Sequence, residues 1–141
     1  MALRVVRLGS ERVPGEGLRI GTVRRPPRGV PKSEYASRNY YDVWLPDVAP
    51  SDGLVRMALQ ATDPKAWQAF VKRYHREMQQ PGPGRILDLL AALSHATDFS
   101  LGCYCEEEDR CHRSILRELL VARGAKLRPD RPGSVPRSRP R

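Results

Sequence analysis

Apolar residues along this chain fall first in short runs rich in β-branched residues, then at every third or fourth position, then at every second. Residues 4 to 8 (RVVRL) and 18 to 23 (LRIGTV) are short runs rich in β-branched residues. Pro14, Gly15 and Gly17 separate them, and they predict two strands. A third strand is expected at 40 to 45 (YYDVWL), closed by Pro46.

The period then lengthens. Ser51 caps an expected short helix ending near residue 60. Thr62 or Asp63 caps the next, with Pro64 in its first turn, where a missing N–H costs nothing. Trp67, Phe70, Val71, Tyr74 and Met78 fall on one face of that helix, and the PGPG at 81 to 84 stops it. A third helix, from Arg85 to about His95, is expected to bury Ile86, Leu89, Leu90 and Leu93. Residues 98 to 105 (DFSLGCYC) return to period two, with Phe99, Leu101, Cys103 and Cys105 opposite Ser100, Gly102 and Tyr104. A last helix, about 111 to 123, carries Ile115, Leu116, Leu119 and Leu120 on its apolar face and stops at Gly124. Strands alternating with helices predict the α/β class: a single small domain with a mostly parallel sheet of about four strands flanked by helices. The domain is expected to occupy residues 1 to 127.

Composition changes this picture at one end. The net charge is +9. Residues 128 to 141 (RPDRPGSVPRSRPR) hold five arginines against one aspartate, or +4, leaving a mildly basic body of +5. A Pro, Arg and Ser tail cannot bury apolar surface and is expected to be disordered, either as a solubilising extension or as a contact for polyanions. No apolar run approaches the roughly 20 residues needed to span a bilayer. The N-terminus lacks the segments of a secretory signal, so no membrane partner and a cytoplasmic location are expected. Three cysteines within nine positions make a poor disulfide framework.

Those cysteines sit in CYCEEEDRCH, residues 103 to 112, and four readings of the segment stand open. Cys103, Cys105, Cys111 and His112 are the right types for a soft metal. Their spacing argues against one, because compact sites use a C-x₂₋₄-C turn and neighbouring Cys111 and His112 diverge on a regular helix. Cys111 at a helix start suggests a reactive thiol, opposed by the four acids that precede it. Arg113, His112 and free helix N–H groups suggest an anion cradle. The bland alternative makes Cys103 and Cys105 small buried hydrophobes. A supplier for the cradle is the loop holding Arg24, Arg25, Arg28 and Lys32, with Tyr35, Tyr40, Tyr41 and Trp44 available to stack on a base.

Four motifs lie in these same regions: RRPPRG (24 to 29), DVWLPDVAPS (42 to 51), WQAFVKRYHRE (67 to 77) and CYCEEEDRCHRSIL (103 to 116). In this order they resemble the YeaO-like proteins, the family called domain of unknown function 488, in its cysteine-bearing branch. Pro26 stands where that family has an aromatic residue. The resemblance implies a small α/β protein and puts Arg24, Arg28, Asp42, Trp44 and His112 on family positions, with Cys111 and Arg113 on positions of the branch. It supplies no activity and no cofactor.

The expectation is therefore a protein that binds a small anionic ligand, nucleotide or nucleic acid between the Arg-rich loop and the start of the last helix. Arg24, Arg28 and Arg113 would contact it, and Tyr41 or Trp44 would form an apolar wall. If the protein is an enzyme, His112 is the acid–base candidate, oriented by Asp42, with Cys111 as a possible nucleophile. The alternatives are a metal- or thiol-dependent enzyme built on the cysteine segment and an adaptor working through its tail. Oligomeric state is not legible.

Overall fold

The computed structural model describes residues 1–105 and 111–128. Four strands, β1 (Leu3–Arg7), β2 (Leu18–Gly21), β3 (Val43–Trp44) and β4 (Phe99–Cys103), form one parallel sheet in the order β1-β4-β2-β3. Leu3 to Arg7 pair with Phe99 to Cys103, and Leu18 to Gly21 pair with Phe99 to Gly102. The four helices are α1 (Asp52–Gln60), α2 (Pro64–Met78), α3 (Pro81–Leu93) and α4 (His112–Ala122). This is the α/β domain that the periodicities predict. Among the described residues, no helix is long and apolar enough to cross a membrane.

Central position explains the composition of β4. A parallel strand with neighbours on both sides is covered on both faces, and all five residues of FSLGC are buried. The expected contrast between an inner and an outer face is therefore absent, since Ser100 and Gly102 are as enclosed as Leu101. Cys105, expected to share the core face with Cys103, lies beyond the strand end and is exposed.

Helices α2 and α4 bury the stripes that their spacing predicts: Phe70, Tyr74 and Met78 on one, Ile115, Leu116, Leu119 and Leu120 on the other. Trp67 and Val71 pack at the margin of the same core. Asp63 caps α2 by accepting from the Ala66 N–H at 2.7 Å, with Pro64 in the first turn. Helix α3 differs from expectation in two ways. It begins at Pro81, so PGPG forms its first turn rather than a linker. Its buried face is Leu87, Leu90, Ala91 and Ser94, while Leu89 is 58 % exposed. Two stripes compete in ILDLLAAL, and packing against the Pro46–Val48 turn and α4 selects one.

Beyond α4, Gly124 takes φ +83° and the chain returns beside β1. The Leu3 N–H donates to the Lys126 carbonyl and the Arg128 N–H to the Leu3 carbonyl. Arg128, expected to open the tail, is thus tied to the sheet; the rest of that tail, 129–141, lies outside the described residues.

Candidate functional site

Past the carboxyl ends of the strands, a second apolar cluster gathers Leu8, Val23, Tyr41, Cys103 and Cys111, flanked by Tyr35, Tyr40 and Tyr104. Open parallel sheets gather ligands at this edge. Here the chain leaving β2 meets the start of α4. The His112 Nε2 lies 2.7 Å from the Thr22 carbonyl, and the Tyr104 hydroxyl donates to the Arg25 carbonyl at 2.8 Å.

A carbonyl only accepts, so the His112 Nε2 carries the hydrogen and its Nδ1 keeps a lone pair. That Nδ1 is 3.9 Å from the Cys111 Sγ. The ring is closed in further by the edge of Tyr74, 5.9 Å between centroids. Burial pushes the His112 pKa down, against the opposing pull of the Thr22 hydrogen bond, so the imidazole is neutral near pH 7.

Cys111 is the N-cap of α4, in extended conformation (φ −131°, ψ 151°), and its side chain caps nothing. Being outside the helix, it does not diverge from His112 as two helical neighbours would. Ligand atoms of Cys103, Cys111 and His112 all lie within 4.8 Å of one another. The Cys105 thiol touches the same group. Hydrogen bonds from Cys103 and Cys111 push its pKa down, with burial opposing and His112 and Arg113 assisting. Cys103 moves the other way, chiefly through burial. All three cysteines are free thiols.

Arg113 is the charge under this cluster. It is 4 % exposed, and its Nη2 donates to the Cys105 carbonyl at 2.6 Å. Its Nε has no hydrogen-bond partner among the described residues. A guanidinium buried this deeply needs a compensating group close by.

The family model described as the active DUF488-N3 subclade matches residues 3–124. The chain belongs to the DUF488 family. The matched span of this DUF488 domain runs from β1 to the end of α4, so it takes in every strand and the whole cysteine–histidine segment. No curated protein and no solved structure matches the chain.

Within the DUF488 domain, the residues singled out from sequence separate into two groups. Cys103, Cys105, Cys111, His112 and Arg113 come together. Those of the early loop are largely committed elsewhere. Arg24 donates from Nε to the Pro50 carbonyl and from Nη2 to the Ala49 carbonyl, both at 3.0 Å, so it stitches the loop to the start of α1. Asp42 does not orient His112; it accepts two hydrogen bonds from Arg12, at 2.8 and 3.0 Å, and one from the Arg19 N–H at 2.8 Å. Tyr41 is buried over Gly21 and offers no stacking face. Trp44 donates its indole N–H to the Val23 carbonyl at 2.7 Å and leaves its ring 42 % exposed. Arg28 is exposed and has no ion-pair partner among the described residues. The acids Glu106 to Asp109 lie outside the described residues.

Two contributors escaped the sequence reading. Thr22 acts through its backbone carbonyl, which leaves no side-chain signature. Tyr104 walls the site between the two cysteines, and it reads from sequence only as the outward member of an alternation. A separate cavity of about 570 Å³ lies between the start of α1 and the end of α2, lined by Ser51, Leu54, Arg73, Arg76, Glu77 and Gln80. It contains none of the sulfur or imidazole groups, and its charged side chains are mostly solvated, so it is the weaker candidate despite its size.

Proposed function

We propose that the protein binds a small anionic ligand of the phosphate or nucleotide class at the carboxyl edge of its sheet, against the first turn of α4. The reading is carried by Arg113, a guanidinium 4 % exposed whose Nε lacks a partner among the described residues. An anion oxygen there would accept a charge-assisted hydrogen bond in surroundings of low dielectric, where such a bond is strong. The positive end of the α4 dipole adds a partial positive charge at the same place. Between Arg24 and Ser33 the neighbouring loop contains no acid, and Arg28 stands exposed on it. Tyr40 and Tyr104, 6.3 Å apart edge to face, would supply the apolar wall first assigned to Tyr41.

The test is calorimetric titration of the full chain with inorganic phosphate and with a nucleoside triphosphate. Arg113→Met keeps an unbranched apolar side chain and removes the charge. It is expected to weaken binding by about 10-fold or more, the loss of one charge-assisted hydrogen bond of roughly 1.5–3 kcal/mol. Arg28→Ala is expected to weaken the triphosphate by only a few fold. Arg24→Ala is expected to lower stability instead, by loosening Ala49 and Pro50. Undiminished phosphate binding in a folded Arg113→Met protein would put the ligand elsewhere.

A further inference from the structure

Three side chains at this edge have the arrangement of a ligand set. The Sγ atoms of Cys103 and Cys111 and the imidazole of His112 lie mutually within 4.8 Å. A tetrahedral zinc site places such atoms about 3.5–3.8 Å apart, from Zn–S and Zn–N bonds near 2.3 and 2.0 Å. The Cys111 Sγ to His112 Nδ1 separation is already 3.9 Å. The second observation is the histidine's other nitrogen. Metal-bound imidazoles usually donate their distal N–H to a carbonyl or carboxylate, which fixes the tautomer and aims the lone pair. His112 does so to the Thr22 carbonyl at 2.7 Å. That carbonyl is itself held by the sheet, because the Thr22 N–H and hydroxyl both donate to the Gly102 carbonyl of β4, at 2.9 and 3.0 Å. Cys103 is 1 % and Cys111 2 % exposed, so both thiols are rigidly enclosed. Two thiolates and one imidazole select zinc among the common divalent ions.

We infer that Cys103, Cys111 and His112 hold a zinc ion whose fourth position opens toward Cys105 and Arg113. Two thiolates cancel the charge of the dication, leaving a neutral centre that accepts an oxygen anion, which the Arg113 guanidinium complements. Three protein ligands plus one exchangeable position is the pattern of zinc sites that act on substrates rather than merely brace a fold. The ligand set stands without the anion-binding reading; only the occupant of the fourth position rests on it.

Full-length protein, purified under reducing conditions without chelator, is expected to carry about one zinc per chain by elemental analysis. After chelation and addition of Co²⁺, a thiolate-to-cobalt charge-transfer band should appear with intensity for two sulfurs. Cys105→Ser should retain the metal, whereas Cys111→Ser and His112→Gln should lower metal affinity by 10-fold or more. Circular dichroism of each variant separates metal loss from unfolding, and the wild-type cobalt spectrum needs no variant at all. Absence of both zinc and the cobalt–thiolate band in folded wild-type protein would overturn the proposal. Loss of metal in folded Cys105→Ser would overturn the open fourth position. Phosphate titration of zinc-free and zinc-loaded protein distinguishes the two ideas: binding by the zinc-free form alone keeps the Arg113 site without the metal, and metal without phosphate binding does the reverse.

Discussion

Gly21 shows how a single residue can fix the geometry of the edge. A Cβ there would press into the Tyr41 ring well inside van der Waals contact, 2.8 Å from its Cγ. Tyr41 is 4 % exposed and its hydroxyl has no partner among the described residues, so burial pushes its pKa up to about 12. With Tyr35 packed against it, 5.3 Å between centroids, the ring has little room to retreat. Gly21→Ala is expected to lower stability by about 1–3 kcal/mol through overpacking. Denaturant unfolding checks this; an unchanged midpoint would mean that the ring yields freely. Tyr41 illustrates what sequence leaves open at this scale: YYDVWL marks a strand with aromatics but not which ring is buried. The same holds for Arg24, whose positive charge suggested phosphate and whose donors were captured by two backbone carbonyls.

At the scale of elements, the sheet depends on a buried charge network. Arg19 on β2 is fully buried and grips Glu16 by two hydrogen bonds, at 2.8 and 3.1 Å. It also donates to the carbonyls of Ser10 and Asn39, and Glu16 accepts from the Ser100 hydroxyl on β4 at 2.8 Å. One guanidinium thus pins both loops beside β2 to the central strand. Burial alone would raise the Glu16 pKa, but the hydrogen bonds from Arg19 and Ser100 and the Arg19 charge hold it below its ordinary 4.5. A depressed carboxylate contributes stability that is present above the unfolded pKa and lost as pH falls through the folded one. Glu16→Gln leaves the buried Arg19 unpaired and is expected to cost about 3–5 kcal/mol at pH 7. The difference from wild type should narrow as pH falls below about 4.5, where the unfolded chain takes up the Glu16 proton before the folded one does. Melting curves from pH 7 to 3 test it, and a constant difference would contradict the linkage. Nothing in LRIG announced this arginine as a core residue; a charge within a strand reads as its solvated face.

For the whole molecule, the remaining question is what the basic tail adds. Residues 129–141 carry four arginines and one aspartate, and they follow Arg128, whose N–H ties the chain to β1. Removing them should leave stability within about 0.5 kcal/mol, because a Pro, Arg and Ser segment has almost no apolar surface to bury. Phosphate binding at the Arg113 site should persist, while salt-sensitive association with oligonucleotides should fall with the lost charge. Loss of all partner binding with an intact body would favour the adaptor reading.

The sequence by itself determined the class of fold, the number of strands, the faces of α2 and α4 and the family, because local period and ordered motifs encode these. It also collected the three cysteines, His112 and Arg113 into one segment. Tertiary structure decided the rest: that Cys105 lies past the strand end at the exposed rim of the cluster while Cys103 and Cys111 are buried in it, that Thr22 holds His112, and that Asp42 and Arg24 serve the scaffold. Each of these depends on which backbone carbonyl or distant side chain arrives nearby. Contacts across 20 to 90 residues are fixed by strand order and packing, and no local pattern of apolar and polar positions specifies them.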